Sequence, residues 1–379
     1  MFFSRENTPI RGYTTIRPQG ATLRYHHGNH ILEGEIMKAM VMSAGIGTRL
    51  RPLTYSIPKP MFPIANKPVL EHVLDLLRKH NIREVVINLH AHRAMIRDYF
   101  GDGSKLGMKI NYSEEKELMG TAGGVKRVEH FFDDTFLVMS GDGLTNINLT
   151  DVINFHRKRR AFGTMVLKRV DTRFEYGITL TKRGGRIKEF IEKPTWSSVF
   201  SNTVNTGIYV FEPEIFRYIP KAKFCDFARD VWPKLLKRKE QIFGYETEEY
   251  WCDIGNLFEY RRAQNDVLAG KIELDIPGER RGKNIWIGKG TQIAPGVKIR
   301  GSCVIGENCR LKKNVFIGGF STIGKNSVVG EGVRLRNCVL WNNVHVRKDV
   351  ELVNCIIGNN AEISSSISVY EGSVINVRE

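Results

Sequence analysis

The sequence lacks both paired cysteines and long apolar runs. Its six cysteines include no C-x-x-C pair, so their spacing indicates neither a structural zinc site nor a thioredoxin-like redox motif. Nothing suggests a disulfide framework, which favours a reducing compartment, and we expect the cytoplasm. No uninterrupted apolar stretch approaches the roughly 20 residues that a membrane span needs. The polar, irregular segment 1–36 also lacks the apolar core of a signal peptide. We therefore predict no membrane partner.

Positive charge is what the chain has in excess. It carries 57 Lys and Arg against 41 Asp and Glu, a net charge of +16. Such a balance points to anionic partners, namely nucleic acid, an anionic membrane surface or phosphorylated metabolites. The densest basic run, residues 156–160, closes a predicted helix, where it suits the helix dipole and faces solvent. Because the other basic residues are scattered, we predict no nucleic-acid partner.

The chain divides into parts with different patterns. Strand-like and helix-like stretches alternate over residues 37–270, which predicts an α/β, Rossmann-like, mainly parallel sheet with helices on both faces. We expect strands at 38–43, 84–89 and 135–140 and an amphipathic helix at 68–80. Residues 271–284 are polar and turn-rich, which indicates a linker, and residues 1–36 form an N-terminal extension of unknown role.

Residues 285–379 show a period of six. Every sixth residue is aliphatic at Ile287, Ile293, Ile299, Ile305, Leu311, Ile317, Ile323, Val329 and Leu335. A second row holds small or β-branched residues at Val297, Cys303, Cys309, Val315, Ser321, Ser327, Val333 and Val339. This hexapeptide repeat predicts a left-handed parallel β-helix around an aliphatic core. The period falters at Trp341 and resumes in a shifted register with Val344, Val350 and Ile356.

A glycine-rich segment, MSAGIGTRLRPLTYSIPKP at residues 42–60, follows the first predicted strand. A Rossmann fingerprint would need a glycine where Leu50 stands, and the Gly-Lys-Ser/Thr of a Walker A loop is missing. The segment therefore indicates a different phosphate loop. Its glycines let backbone N–H groups approach a triphosphate, and Arg49 supplies a planar fork for phosphate oxygens. Lys59, between two prolines, adds a point charge.

These residues resemble the motifs of the sugar-1-phosphate nucleotidyltransferases, also called nucleotide-sugar pyrophosphorylases. The hallmark G-x-G-T-R-L-x-P-L-T, followed by P-K-P-x-x-P, stands intact at residues 45–54 and 58–63. Further family segments follow in order at residues 120–123, 141–142, 175–177, 192–194, 205–209 and 251–255. The resemblance covers residues 37–379, since many members carry a C-terminal hexapeptide β-helix, and is closest to bacterial mannose-1-phosphate guanylyltransferases. Ser43-Ala44 departs from the pattern, because a glycine is common there, and the extension before Met37 lies outside it.

The resemblance implies an enzyme in which an oxygen of a sugar 1-phosphate attacks the α-phosphorus of a nucleoside triphosphate, and pyrophosphate leaves. The nucleophile is already anionic, so the reaction needs charge neutralisation and alignment rather than a general base. The family pattern implies Mg²⁺ as cofactor, with Asp142 and Asp253 as its ligands. Arg49 and Lys59 would hold the triphosphate and the leaving pyrophosphate, and Lys193 the phosphate of the sugar.

The remaining site residues are also carried over from the family. Contacts to the sugar hydroxyls match Gly177, Glu192 and Asn205. Contacts to the nucleotide match Met42, Ser43, Ala44, Gly45, Gly47, Thr48, Arg49, Glu115, Gly120 and Thr121. The β-helix commonly mediates assembly in this family, which implies a homo-oligomer.

The base and the sugar stay open. We expect GTP with mannose 1-phosphate, because base recognition lies just before Gly120, and a carboxylate at Glu115, or next at Glu114, can accept both donors of guanine. The alternative for these glutamates is a solvated charged loop. The alternative substrates are UTP, dTTP or ATP with glucose 1-phosphate.

Two other classes of function fit the sequence less well. A catalytically silent regulatory subunit is disfavoured by the intact Arg49, Lys59, Asp142 and Asp253. Acyl transfer by the β-helix usually needs a catalytic histidine, and only His345 lies there.

Overall fold

The computed structural model of the protein describes residues 37–170, 176–195 and 201–372, together with the backbone of 374–375. The predicted extension 1–36 and the first residue of the 175–177 motif lie outside the described residues. The helices among the described residues are too short or too polar to span a bilayer.

A nine-stranded sheet with helices packed on it forms the first part of the chain. Strands in this part are β1 Lys38–Met42, β2 Pro63–Ile64, β3 Lys67–Pro68, β4 Glu84–Leu89, β5 Lys109–Glu114, β6 Phe136–Ser140, β7 Gly143–Thr145, β8 Gly163–Arg169, β9 Ile178–Thr181, β10 Ile187–Ile191, β11 Thr203–Phe211, β12 Ile242–Thr247 and β13 Trp251–Asp253. The helices are α1 Val69–Lys79, α2 Arg93–Phe100, α3 Gly120–Arg127, α4 Leu149–Arg159, α5 Trp232–Lys237 and α6 Leu257–Leu268.

The sheet order is β10-β9-β11-β6-β1-β4-β5, and β8 joins β11 and carries β12 beside it. The pairs among β6, β1, β4 and β5 are parallel, as predicted. Around β11 the sheet turns antiparallel, because β11 runs against β6, β8 and β9. The three predicted strands are confirmed to within one residue, and so is the predicted helix, which appears as α1.

One prediction about α4 needs correction. Its last turn carries the basic run 156–160, but His156 is 1% exposed and does not face solvent. Its ring nitrogens lie 2.9 Å from Thr164 Oγ1 and 2.9 Å from Glu212 Oε1. A buried polar ring needs such partners, and sequence position alone did not show them. Arg157 is half-buried and the following three residues are solvated.

The second part is a parallel β-helix. Its first strand, β14 Glu279–Arg280, lies in the predicted linker and pairs antiparallel with β15 Ile285–Ile287. The remaining strands are β16 Gln292–Ile293, β17 Lys298–Arg300, β18 Cys303–Ile305, β19 Arg310–Leu311, β20 Phe316–Gly318, β21 Ser321–Ile323, β22 Val328–Val329, β23 Arg334–Arg336, β24 Val339–Leu340, β25 His345–Val346, β26 Glu351–Val353, β27 Ile356–Ile357, β28 Glu362–Ile363, β29 Ser368–Tyr370 and β30 Val374–Ile375. They stack as three sheets, each built from every third strand.

The register of the coils corrects the predicted rows. Phe316 pairs with Arg334, a step of 18, whereas Thr322 pairs with Val339, a step of 17. One residue is therefore lost at the corner before β24, earlier than Trp341. The aliphatic row continues through Leu340, Val346, Leu352, Ile357 and Ile363. Val339 and Ile356 stand outside the two rows, and Ile293, in the first coil, is 40% exposed.

The first part of the chain and the β-helix share a hydrophobic core. Val304, Val339, Trp341 and Ile356 of the β-helix belong to the same buried cluster as α1 and one face of the sheet. The interior of the coils forms a separate cluster of its own. The β-helix is thus packed directly against the sheet-containing part.

Candidate functional site

The site lies where strand ends converge. Asp142 follows the carboxyl end of β6, next to the loop that leaves β1, because β1 and β6 are paired in parallel. The β7–β13 ladder sets Asp253 opposite Gly143, directly beside Asp142. A cavity of about 300 Å³ opens at this point. Loop-bearing strand ends of this kind are where open α/β sheets bind ligands.

Lys59 bridges the two aspartates. Its ammonium nitrogen lies 2.5 Å from Asp142 Oδ2 and 3.1 Å from Asp253 Oδ1. Burial opposes the charge on Lys59, but the two carboxylates outweigh it and raise the pKa of Lys59 above its usual value. Burial likewise opposes ionisation of Asp142, yet Lys59 and the Ser140 hydroxyl hold the pKa of Asp142 below its usual value. The pKa of Asp253 is raised, by burial despite Lys59, with a smaller contribution from the charge of Asp142.

The paired aspartates fit a divalent cation, which the family generally uses. Mg²⁺ is commonly bound by one or two carboxylates together with the phosphates of the substrate. Asp142 and Asp253 supply two, and their shared contact with the Lys59 ammonium shows that both can reach one positive charge. Among the described residues no group of three or more His, Cys, Asp or Glu side chains forms a metal cluster, so the phosphates would have to complete the coordination.

The predicted sugar contacts meet at the other side of the same cavity. Gly177, Glu192, Lys193 and Asn205 all line it. The backbone N–H of Asn205 donates to the Gly177 carbonyl at 2.8 Å, and a Cβ at Gly177 would lie 2.6 Å from Glu192 Oε2. Glycine therefore permits the close approach of that carboxylate. Burial, and then the nearby charge of Asp226, raise the pKa of Glu192.

Sequence reasoning missed Asp226, which also lines the cavity. Its Oδ2 accepts a 2.9 Å hydrogen bond from Thr121 Oγ1, and its Oδ1 caps the short helix that follows by accepting from Ala228 N and Arg229 N. No motif marks this residue, because its contact with Thr121 joins segments far apart in the sequence. The other lining residues that were not predicted as site residues are Ser140, Gly143, Tyr176, Thr206, Gly207, Tyr209, Ala228 and Trp251.

Lys59 and most of the predicted nucleotide contacts divide into two groups. Met42, Arg49, Lys59 and Thr121 line the cavity. The rest of the loop does not line the cavity; these residues are Ser43, Ala44, Gly45, Gly47 and Thr48. Gly45 and Thr48 are exposed, whereas Ser43 is buried and its N–H donates to Asn88 Oδ1 at 2.7 Å.

Glu115 is buried, at 2% exposed, and lies behind the loop. Its Oε1 accepts from Asn88 Nδ2 at 2.8 Å, and its Oε2 accepts from the backbone N–H of Met119 at 3.0 Å. Asn88 in turn holds Ser43. The carboxylate therefore joins the phosphate loop to the segment before Gly120, and its role as reader of the base stays a prediction. Glu114, the second candidate, lies at the surface with Arg97 at 2.6 Å.

At Gly120 both the backbone conformation and the available space favour glycine. Its φ of +73° lies in the left-handed region, and a Cβ there would lie 2.5 Å from the carbonyl oxygen of Cys225. That carbonyl accepts from the N–H groups of Ala122 and Gly123. The start of α3 is thus docked on the segment that leads to Asp226.

The cavity combines cations with carboxylates. Arg49, Lys59 and Lys193 face Asp142, Asp253, Glu192 and Asp226, and no histidine stands among its lining residues in the described part of the chain. Such a surface can neutralise and align phosphates, which suits a reaction with an anionic nucleophile.

Comparisons with known proteins agree with this geometry. The nucleotidyl transferase family matches residues 38–270, and the family described as the GMPPB C-terminal domain matches residues 299–377. A UTP–glucose-1-phosphate uridylyltransferase of Synechocystis is 36% identical, over 82% of this chain and 89% of that protein. A mannose-1-phosphate guanylyltransferase of Mycobacterium tuberculosis is 32% identical, over 81% of this chain and 80% of that protein.

A solved structure shares the fold. HddC from Yersinia pseudotuberculosis, complexed with GMP-PN, is 23% identical with a TM-score of 0.54, and the match covers 61% of this chain and 100% of that one. Together with the motifs, the paired aspartates and the match over residues 38–270, this places the chain in the nucleotidyl transferase family, among its sugar-1-phosphate nucleotidyltransferases.

Proposed function

We propose that this enzyme joins GTP to mannose 1-phosphate, giving GDP-mannose and pyrophosphate. The observation that carries the reaction is the Lys59 bridge between Asp142 and Asp253, which lies in one cavity with the predicted sugar contacts. Support for the substrates comes from the guanylyltransferase relatives, of which the Mycobacterium tuberculosis enzyme is one, and from the match of residues 299–377 to the GMPPB C-terminal domain.

In this proposal the chain's own residues hold two phosphates in line. Lys193 and the acceptors around Glu192 position the sugar 1-phosphate so that its anionic oxygen faces the α-phosphorus. Arg49 and the backbone of the glycine-rich loop hold the β- and γ-phosphates, which leave as pyrophosphate. Lys59 keeps Asp142 and Asp253 together and adds positive charge beside them. Mg²⁺, held by these two aspartates, would supply further neutralisation of the crowded phosphate charge.

A second candidate is UTP with glucose 1-phosphate. It is favoured by the Synechocystis relative, which is a uridylyltransferase and is 36% identical over 82% of this chain. The alternatives with dTTP or ATP use the same cavity and chemistry. Assembly into a homo-oligomer through the β-helix is part of the proposal but has no bearing on which substrates are used.

The test is a grid of GTP, UTP, dTTP and ATP against mannose 1-phosphate and glucose 1-phosphate, scored by pyrophosphate release with Mg²⁺ present. We expect the largest kcat/KM for GTP with mannose 1-phosphate. A larger value for UTP with glucose 1-phosphate would replace the first candidate by the second. Absence of turnover with every pair, in well-folded protein, would favour the silent-subunit alternative.

A further inference from the structure

A buried aromatic cluster joins the β-helix to the segment that carries Lys59. Phe62, Tyr260 and Trp341 are each at most 1% exposed. The ring of Phe62 lies 5.4 Å from that of Tyr260 and 5.1 Å from that of Trp341, edge to face in both cases. Trp341 is the β-helix member of this cluster, and Tyr260 comes from α6.

The cluster is fixed by hydrogen bonds as well as by packing. Trp341 Nε1 donates to the Tyr260 hydroxyl at 2.9 Å, and that hydroxyl donates to the Pro63 carbonyl at 2.7 Å. Gln264 Nε2 donates to the same carbonyl at 2.6 Å, and Gln264 Oε1 accepts from Ala65 N at 2.9 Å. The buried polar groups of Trp341, Tyr260 and Gln264 all have partners in this network, so the arrangement specifies one position for residues 62–65.

These residues lie one turn from the catalytic centre. The N–H of Phe62 donates to the Lys59 carbonyl at 3.0 Å, closing the short helix Lys59–Met61. On the other side, a Cβ at Gly47 would lie 3.3 Å from Lys59 Cβ, so the lysine packs against the phosphate loop. A shift of Phe62 would therefore move both the Lys59 ammonium and the loop beside it.

We propose that Trp341 is a positioning residue, through which the β-helix holds the Lys59 segment in place for catalysis. The β-helix then acts on the site through this one contact and is more than an assembly module. This inference rests on the proposed function, since it presupposes turnover by the wild-type chain. A displacement of about 1 Å at a reacting group can cost a large factor in rate, which makes the effect measurable.

The test compares full-length variants at a temperature where all are folded. Trp341→Ala should lower kcat at least about tenfold with little change in KM for the sugar 1-phosphate, because the sugar-side contacts are untouched. Trp341→Phe keeps an aromatic ring and should recover part of that loss. Leu335→Ala is the matched control: Leu335 is 0% exposed in the interior of the coils, so it should lose thermal stability and keep its kcat.

If Trp341→Ala does not fold, Tyr260→Phe tests the same connection, since it removes only the bridging hydroxyl. It should also lower kcat, by at least about threefold. The inference is overturned if the folded Trp341→Ala variant, or in its place Tyr260→Phe, keeps a kcat within about twofold of wild type. It is also overturned if Leu335→Ala loses kcat to the same extent. Failure of the wild-type enzyme to release pyrophosphate would instead reject the proposed function.

Discussion

The ammonium group of Lys59 lies 2.5 Å from Oδ2 of Asp142, although the two residues come from different elements of the fold. Asp253 shares the same ammonium group from a third element. Removing Lys59 would leave two neighbouring carboxylates without a counter-charge in a mostly buried place, which is strongly destabilising. The Lys59 ammonium therefore allows the two aspartates to lie close together.

We expect Asp142→Asn and Asp253→Asn each to lower kcat by a factor on the order of 10² or more while the fold is kept. An amide supplies no negative charge to a divalent cation. Pyrophosphate release and thermal unfolding, measured on the same preparations, check this. Asp133→Asn is the control, because Asp133 lies at the surface near the opposite end of β6 and bonds Lys38. Near-wild-type turnover in either site variant would remove that aspartate from the metal site.

The stability of the chain should depend on His72 below neutral pH. His72 is 5% exposed, its Nε2–H donates to the Ile64 carbonyl at 3.0 Å, and burial lowers the pKa of His72 to about 4. In the unfolded chain its pKa is about 6.5. The unfolded state therefore binds more protons between these values, and the free energy of unfolding falls as the pH drops from about 6.5 towards 4.

At about pH 5 this residue alone should cost about 2 kcal/mol relative to neutral pH. Urea unfolding of wild type and His72→Gln at both pH values isolates the effect, since glutamine keeps an N–H donor but does not titrate. His130→Gln, at an exposed position, should keep the wild-type dependence. Equal pH dependence in wild type and His72→Gln would contradict the assignment.

Replacement by alanine should affect stability at Gly120 but not at Gly45. At Gly120 an added Cβ meets the Cys225 carbonyl oxygen at 2.5 Å and φ is +73°, whereas at Gly45 it meets nothing within 4 Å. We expect Gly120→Ala to lower the free energy of unfolding by about 2 kcal/mol or more. Gly45→Ala should stay within about 0.5 kcal/mol of wild type.

Gly45→Ala should nevertheless raise KM for the triphosphate, by about tenfold, because the methyl group keeps phosphate oxygens from the backbone N–H groups of the loop. Urea unfolding and initial-rate kinetics on the two variants separate packing from binding. An unchanged KM in Gly45→Ala would show that the loop does not approach the phosphates at that residue.

Local patterns predicted much of this architecture, and tertiary contacts account for what they missed. The strand ending at Met42 is visible as a short apolar run, because both of its faces are buried. The helix α1 is visible because burial of one face leaves a period. The loss of one residue at the corner before β24 breaks such a period without replacing it, so Val339 was placed in the wrong row. No sequence pattern marked Asp226, because its place at the cavity depends on a hydrogen bond from Thr121, which lies far from it in the chain.

Glu115 shows the same limit within the site. Its position before Gly120 suggested a carboxylate open to the base, but the fold gives both of its oxygens to Asn88 Nδ2 and Met119 N. The segment and the residue type were both visible in the sequence. The hydrogen bonds of the carboxylate depend on β4 and on the start of α3, so the sequence did not show them.

The last prediction concerns this carboxylate. We expect Glu115→Gln to lower kcat/KM for GTP and UTP by similar factors, because an amide cannot accept from both donors and one of the two bonds is lost, at a cost of about 1–3 kcal/mol. Loss of either bond leaves Ser43 or the segment before Gly120 less firmly positioned. Any bound triphosphate would contact these parts. Glu117→Gln, at an exposed position two residues on, is the control and should match wild type with both substrates. A loss confined to GTP would instead show that Glu115 reads guanine directly, and that Asn88 and Met119 release it when the nucleotide binds.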